Sequence, residues 1–461
     1  MRTSKAIVGV ALALAFFALC NATISFFYEP YGSRSDITWS EYSKMESLDT
    51  VIVGTSLAQH GLNPDVLDKY AGTNSFNLAT PSQSLEDSLV GIQTAYEDHG
   101  IKRAVLGLSR TSLTTEGPPS ACSPFLHLRG RYVPFSQTFS AVNMMLWRYG
   151  ASKTETSINW LFPWVSNHVK PSISNFVETA QAKINHEDLI EACEAYDPGW
   201  KYVDRGHGSR RSVLNYNSKA AEPLAEGDGD EEGEGDEETT ETASSHVDPD
   251  RANTIRDICA YCAEHDIELV VISLPLPLFN VIDPQADYFG LKHEVDAICA
   301  EQGVAHYDFN LASPELFDVQ PRYFYDSSHF NLKGARVFSR SFGKFLAALD
   351  AGRDVSAMFL SEEERVNAVD EISLLMVDDT VEGDGLHLHA RPIAGPSVEA
   401  EYQFFVRWKG SDTWQLVRDW STETDFTYVP DGRGTIQVHV NARKVGTDVE
   451  YDRYREITEL V

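Results

Sequence analysis

The alternation of short apolar runs with helix-periodic stretches constrains this chain more than any other feature of it. Residues 50–54 (TVIVG), 75–79 (SFNLA) and 103–109 (RAVLGLS) have the length of strands and carry almost no charge. A strand that is apolar on both faces belongs inside a parallel sheet with helices covering both sides. Residues 84–99 lie between the second and third runs, have helical periodicity and stop at Gly100. Further along, residues 249–265 predict a helix, 267–274 (IELVVISL) a strand, 285–302 a helix closed by Gly303, 304–309 a strand and 332–349 a last helix. Strand–helix–strand repeats of this kind predict an α/β fold built on a parallel sheet.

At 461 residues the chain is longer than one compact domain needs. From about residue 372 the texture changes to short alternating strands, at 386–392, 401–408, 414–418, 425–429 and 435–441, separated by turn signals such as Pro430-Asp431-Gly432. That spacing predicts a small immunoglobulin-like β-sandwich over 372–461, after a linker at 350–371. Its run Tyr402, Phe404, Trp408, Trp414 and Trp420 has two readings, a sugar-binding face or core and edge packing. The α/β domain is expected over 45–349, interrupted by an insertion at 111–247. Part of the insertion is rich in aromatics (Trp147, Trp160, Phe162, Trp164) and predicts a helical cap. The stretch 218–247 is of low complexity and predicts a disordered loop.

The N-terminus points to a membrane. Arg2 and Lys5 precede 22 uncharged residues, 6–27, about the 20 needed for a helix to cross the hydrocarbon core. Basic residues before such a span predict a cytoplasmic tail at 1–5, a signal anchor at 6–27 and an extracytoplasmic body; a cleaved signal peptide is the competing reading.

The net charge of −31 excludes nucleic acid as a partner, because a polyanion is repelled by most of such a surface. Ten of the acidic residues fall between positions 226 and 241. No calcium-loop order of ligands is found there. Cys259 and Cys262 form a C-x2-C pair with no second pair at zinc spacing, so neither metal nor cofactor is predicted. Disulfides from Cys259 or Cys262 to Cys299, or from Cys122 to Cys193, are compatible with the compartment.

Two short stretches carry chemistry. In Gly54-Thr55-Ser56 a strand runs straight into a serine, at the carboxyl edge where parallel sheets place their sites. Gly54 permits a sharp turn there. The second stretch, Asp326-Ser327-Ser328-His329, precedes the last helix. A serine hydroxyl needs a base to take its proton, and a histidine base needs an acceptor on its other nitrogen. Asp326 and His329, three apart in one loop, can supply both. His60, four residues after Ser56, is expected to be a surface or helix residue, with a place near the pocket as the alternative. His387 and His389, on one strand face, are expected to be structural or at the surface, and His127, His168 and His207 show no ligand spacing.

The blocks GTSLAQHGLNP, NSFNLATPSQS and DSSHFNLKGARVFS resemble those of the SGNH (GDSL-like) hydrolases. They are similar to a membrane-anchored bacterial branch related to proteins of teichoic-acid D-alanylation and alginate O-acetylation. The resemblance covers about residues 48–110 and 250–349. It implies a three-layer, flavodoxin-like fold, with Ser56 as nucleophile, His329 as general base and Asp326 as its orienter. It also implies an acyl-ester hydrolase or O-acyltransferase acting on a cell-envelope glycopolymer, partnered by a polytopic membrane protein that delivers the acyl group. Two departures bear on the oxyanion hole. Ser82 stands where the family has a glycine, and Gly107-Leu108-Ser109-Arg110-Thr111 lacks the family's asparagine. Ser82, Ser109 and Arg110 are therefore the expected oxyanion donors. Losing one donor typically costs about 100–1000-fold in turnover, which fits slow or specialised acyl transfer. The alternative is a catalytically silent surface scaffold on the same fold.

Overall fold

The computed structural model describes residues 2–28, 31–115, 172–224 and 246–460. Helix α1 (Arg2–Tyr28) opens the chain, and its span Ala6–Tyr28 is long and apolar enough to cross a membrane. Helix α2 (Arg34–Tyr42) follows, capped by the Ser33 side chain. Then come β1 (Thr50–Gly54), α3 (Ser56–Gly61), α4 (Pro64–Ala71), β2 (Ser75–Asn77), α5 (Leu85–His99), β3 (Arg103–Leu108) and α6 (Arg110–Thr114). The chain continues with α7 (Ile173–Asn185), α8 (Leu189–Tyr196) and a hairpin of β4 (Trp200–Asp204) and β5 (His207–Arg210). The α/β body closes with α9 (Pro249–Glu264), β6 (Glu268–Ser273), α10 (Phe279–Ile282), α11 (Tyr288–Glu301), β7 (His306–Asp308) and α12 (Leu332–Asp350).

Five strands form one parallel sheet in the order β2-β1-β3-β6-β7. The chain leaves β1 toward one edge and returns to β3 on the other side, so the order reverses at β1/β3, where open α/β sheets place their sites. Alternation along each strand feeds two cores. Val51, Val53, Ala104, Leu106 and Val271 pack with α5, α9 and α11 on one face. Ile52, Val105, Val270 and Ile272 pack on the other face against α4 and α12, where Phe338, Phe342 and Phe345 are fully buried. Each such phenylalanine contributes about 1.5–3 kcal/mol relative to an exposed one.

After α13 (Glu362–Asn367) the chain becomes all-β. β8 (Ile372–Glu382), β9 (Gly385–Ala394) and β12 (Asp425–Tyr428) form a three-stranded sheet in the order β12-β9-β8. β10 (Ala400–Trp408), β11 (Gln415–Ser421), β13 (Thr435–Lys444) and β14 (Arg453–Leu460) form a four-stranded one. Both are antiparallel, and their inner faces share one core. The sandwich meets the α/β body where Leu374, Met376 and Ile393 pack against Phe279, Val281 and Ile282 of α10.

Several expectations change. Strand β8 reads as a featureless apolar run because its first six residues are buried without alternation. Helix α11 starts at Tyr288, later than its periodicity suggests, because Pro284–Ala286 form a separate 3-10 turn capped by Asp283. Cys259, Cys262 and Cys299 are free thiols, so neither Cys259 nor Cys262 is joined to Cys299. The expected Cys122–Cys193 pairing involves Cys122, which lies outside the described residues. Burial holds the Cys259 thiol at about 11 and those of Cys262 and Cys299 at about 12, leaving them protonated and inert. Tyr402 and Phe404 are core residues. Trp414 and Trp420 face outward, but guanidinium groups of Arg407 and Arg443 already stack on them at 4.2 and 4.0 Å. His127, Trp147, Trp160, Phe162, Trp164, His168 and the acidic run also lie outside the described residues.

Candidate active site

Ser56 is the first residue of α3, immediately past the carboxyl end of β1 at the sheet's switch point. Gly54 turns the chain with φ +142, and a Cβ there would meet the Gly107 carbonyl and Ala58; only glycine fits. The Gly54 N–H donates to Gln83 Oε1 at 2.8 Å, and Thr55 caps α3 through its hydroxyl. From the other end, Asn77 Nδ2 donates to the carbonyls of Ala58 and Leu62, both at 2.8 Å. The short helix presenting Ser56 is thus pinned at both ends.

The loop between residues 323 and 331 delivers the partners. Phe324 and Phe330 bridge its two arms and stack at 4.8 Å, and Asn331 caps α12. Within it Asp326 Oδ1 accepts the N–H groups of Ser328 (2.9 Å) and His329 (2.7 Å). This local turn orients the carboxylate, so that Oδ2 lies 2.8 Å from His329 Nδ1. His329 Nε2 lies 2.7 Å from Ser56 Oγ. Ser56 and His329 are only 7% and 6% exposed, so little water competes for these bonds. Burial pushes the Asp326 carboxyl up, but the His329 imidazole and the two N–H donors outweigh it and hold it below its ordinary value.

The three expected oxyanion donors are placed differently. Ser82 is exposed on the loop after β2 with φ +50, a left-handed backbone that glycine would favour. Ser109 caps α6. Its N–H donates to Ser112 Oγ at 3.1 Å, and its own hydroxyl accepts from the Ser112 N–H at 3.2 Å. Arg110 Nη1 donates to the Ala286 carbonyl at 2.7 Å. Ser109 and Arg110 line an apolar cleft running from Leu57, the neighbour of Ser56, past Leu108 and Leu274 to Leu291 and Val295 on α11.

Behind His329 lies a layer that spacing could not reveal. His60 lies in helix α3 and beside the pocket, but is fully buried and not at the surface; its ring centre is 5.0 Å from that of His329, and its Nδ1 is 2.9 Å from the Tyr325 hydroxyl. Burial, then His329 and Arg34, hold His60 well below the usual histidine value. His207, also buried, bonds the Gln59 carbonyl through Nδ1 at 2.8 Å and is pushed down to about 4, chiefly by burial. Both are therefore neutral in the fold and protonate only on unfolding below about pH 6.5. Between pH 6.5 and 4 the unfolded chain binds the His207 proton and the native chain does not, so stability falls with pH by on the order of 3 kcal/mol. Thermal unfolding followed from pH 7.5 to 5 should show this loss, and His207→Gln should flatten the slope. An unchanged slope in that variant would refute the assignment.

A second alignment was also missed. Ser273 Oγ lies 3.0 Å from His306 Nε2, and His306 Nδ1 lies 2.7 Å from Asp296 Oδ1. These residues come from three separate elements and form no motif. Asp296 is also bound by Lys292 at 2.7 Å, and the Tyr288 hydroxyl, itself bonded to Asp308 and Asn310, joins the network through Ser273. This set forms a polar floor beneath the far end of the cleft.

No family model matches the chain, and no curated protein matches it. Among solved structures it is similar to a provisionally named platelet activating factor from Streptococcus pneumonia, with 10% identity over 73% of this chain and 99% of that one and a TM-score of 0.26. It is also similar to an engineered protein, with 10% identity over 94% of this chain and 98% of that one and a TM-score of 0.15. Scores this low carry no argument about function.

Proposed function

We propose that this chain is a serine-dependent acyl-ester hydrolase or O-acyltransferase of the SGNH type, with Ser56, His329 and Asp326 as its catalytic residues. One observation carries the reading: the unbroken hydrogen-bonded line from Ser56 Oγ through both nitrogens of His329 to Asp326. In this mechanism Ser56 Oγ attacks the ester carbonyl carbon while His329 Nε2 takes its proton. The tetrahedral adduct collapses to an acyl-serine, and the proton leaves with the alcohol. Water or an acceptor hydroxyl then attacks, with His329 again as base, and Ser56 is released. Asp326 holds the Nδ1–H tautomer throughout. The apolar cleft beginning at Leu57 is the natural seat for the acyl chain.

In this reading α1 anchors the protein with Arg2 and Lys5 on the cytoplasmic side, so the site works on cell-envelope material. The acyl groups of a glycopolymer are the substrate, and a polytopic membrane protein supplies the acyl donor where transfer is the reaction. A catalytically silent scaffold is the second reading, favoured by the engagement of the Ser109 N–H with Ser112.

A fluorophosphonate probe separates the two readings. The full-length protein in detergent should be labelled on Ser56, Ser56→Ala should abolish labelling, and Ser273→Ala should leave it intact. Absence of labelling, or its persistence in Ser56→Ala, would sink the enzymatic reading.

A further inference from the structure

Helix α7 carries an apolar stripe that the globular body does not use. Ile173, Val177, Ala180 and Ile184 recur at i, i+4, i+7 and i+11, which places them along one face. Of these, Ala180 is buried, whereas Ile173, Val177 and Ile184 stand 83%, 48% and 65% exposed. Three exposed β-branched residues in line on one helix are unusual for a surface bathed in water.

Where this helix sits identifies what covers it. It packs against the last turn of α1, the end of the span long enough to cross a membrane. Phe176 meets Tyr28 with ring centres 4.7 Å apart, and Lys183 Nζ donates to the carbonyls of Phe26 (3.0 Å) and Ser25 (3.4 Å). Those carbonyls belong to the unpaired C-terminal turn of α1, where a cation is favoured. A helix fixed to the exit point of a membrane span, with one apolar and one polar face, has the geometry of an interfacial helix.

The same region is tied to the site. Five residues separate Tyr28 from Arg34, at most about 22 Å of extended chain. Gly32 lies against Ala192 of α8. Arg34 forms an ion pair with Asp197 at 2.7 Å, and its Nη1 comes within 3.5 Å of His60 Nε2, beside the His329 ring.

We infer that α7 lies in the headgroup layer of the bilayer beside α1, with Ile173, Val177 and Ile184 in the lipid, and that the Ser56 site thereby works on acyl esters presented at the membrane surface. The position of α7 rests on α1 crossing the membrane; the substrate class rests on the hydrolytic reading of Ser56.

The test uses the full chain reconstituted in phosphatidylcholine vesicles. An NBD probe is placed by Val177→Cys or, as a polar-face control, Glu178→Cys, in a Cys20→Ser, Cys122→Ser background; Cys193, Cys259, Cys262 and Cys299 are buried. Dibrominated lipid is expected to quench the probe at 177 severalfold more than at 178. Equal quenching would overturn the inference, as would disulfide formation between the 177 cysteines of two chains, the mark of a second copy covering the face. For the substrate, Ile173→Asp with Ile184→Asp should lower turnover of p-nitrophenyl palmitate embedded in vesicles on the order of tenfold. Turnover of soluble p-nitrophenyl acetate should not change. If both esters fall together, or neither does, the presentation at the membrane is wrong. If the unsubstituted protein cleaves neither, it is the reading of Ser56 that fails, and the quenching result still stands.

Discussion

Replacing Asp326 by asparagine is expected to lower ester turnover by about 10^4-fold without unfolding the site. The backbone should survive because the asparagine carbonyl can still accept the N–H groups of Ser328 and His329, the bonds that shape the loop. What changes is the partner of His329 Nδ1. A carboxylate at 2.8 Å accepts a hydrogen bond from the Nδ1–H and keeps the proton on that nitrogen; an amide can present its NH2 instead and draw the imidazole into the other tautomer. Nε2 then carries the hydrogen and cannot take the proton of Ser56 Oγ. The pH profile supplies a second readout. His329 and the local N–H groups hold the Asp326 carboxyl below its ordinary value. It therefore stays ionised down to about pH 4, its contribution to stability is present above that range, and it is lost as pH falls through the lowered value. An acid limb in the activity profile above about pH 4 is thus not expected to come from Asp326. Turnover of p-nitrophenyl acetate from pH 4.5 to 9 measures both effects; a loss of less than about tenfold would refute the assigned role.

The second large effect falls on stability. Arg251 on α9 and Glu86 on α5 are 2% and 0% exposed and pair through Arg251 Nη1, 2.9 Å from both carboxylate oxygens. Thr254 donates to the same carboxylate at 2.6 Å, and Arg251 Nε donates to the Thr115 carbonyl at 3.2 Å. Arg251→Met leaves Glu86 charged, buried and short of its main partner, a change that costs about 3–5 kcal/mol. Thermal unfolding of the full-length protein in detergent should drop by about 10 °C. Adding Glu86→Leu should recover most of the loss, because the desolvated charge goes with it. A single variant that melts with the wild type would show that the pair does not lock α5 to α9.

Much of the α/β body was legible because its signals are local. A fully buried parallel strand needs apolar residues on both faces, and β1, β3 and β6 show them without help from the rest of the chain. Helix stops are equally local: Gly100, in the left-handed conformation at the end of α5, is visible as a glycine after a periodic stretch. The sandwich was half legible. β9, β10 and β13 alternate, one face in and one face out, whereas the first half of β8 is buried on both faces and loses the period that would mark it. Helix α2 is short and polar in composition, yet Ile37, Trp39 and Tyr42 are buried by elements distant in sequence.

Serine after a strand and an aspartate three residues before a histidine could be read as a matched set, since each half of the site is held by its own few residues. The turn in which Asp326 accepts the N–H groups of Ser328 and His329 is local, and so is the glycine that swings β1 into Ser56. That the halves meet, with 2.7 Å between Ser56 Oγ and His329 Nε2 across 273 positions, was decided by the strand order alone. The buried histidines behind His329, the engagement of Ser109 as a helix cap and the apolar stripe of α7 beside α1 likewise arise from contacts between distant segments. No spacing encodes them, because burial and hydrogen-bond partners are properties of the packed chain and not of any window of it.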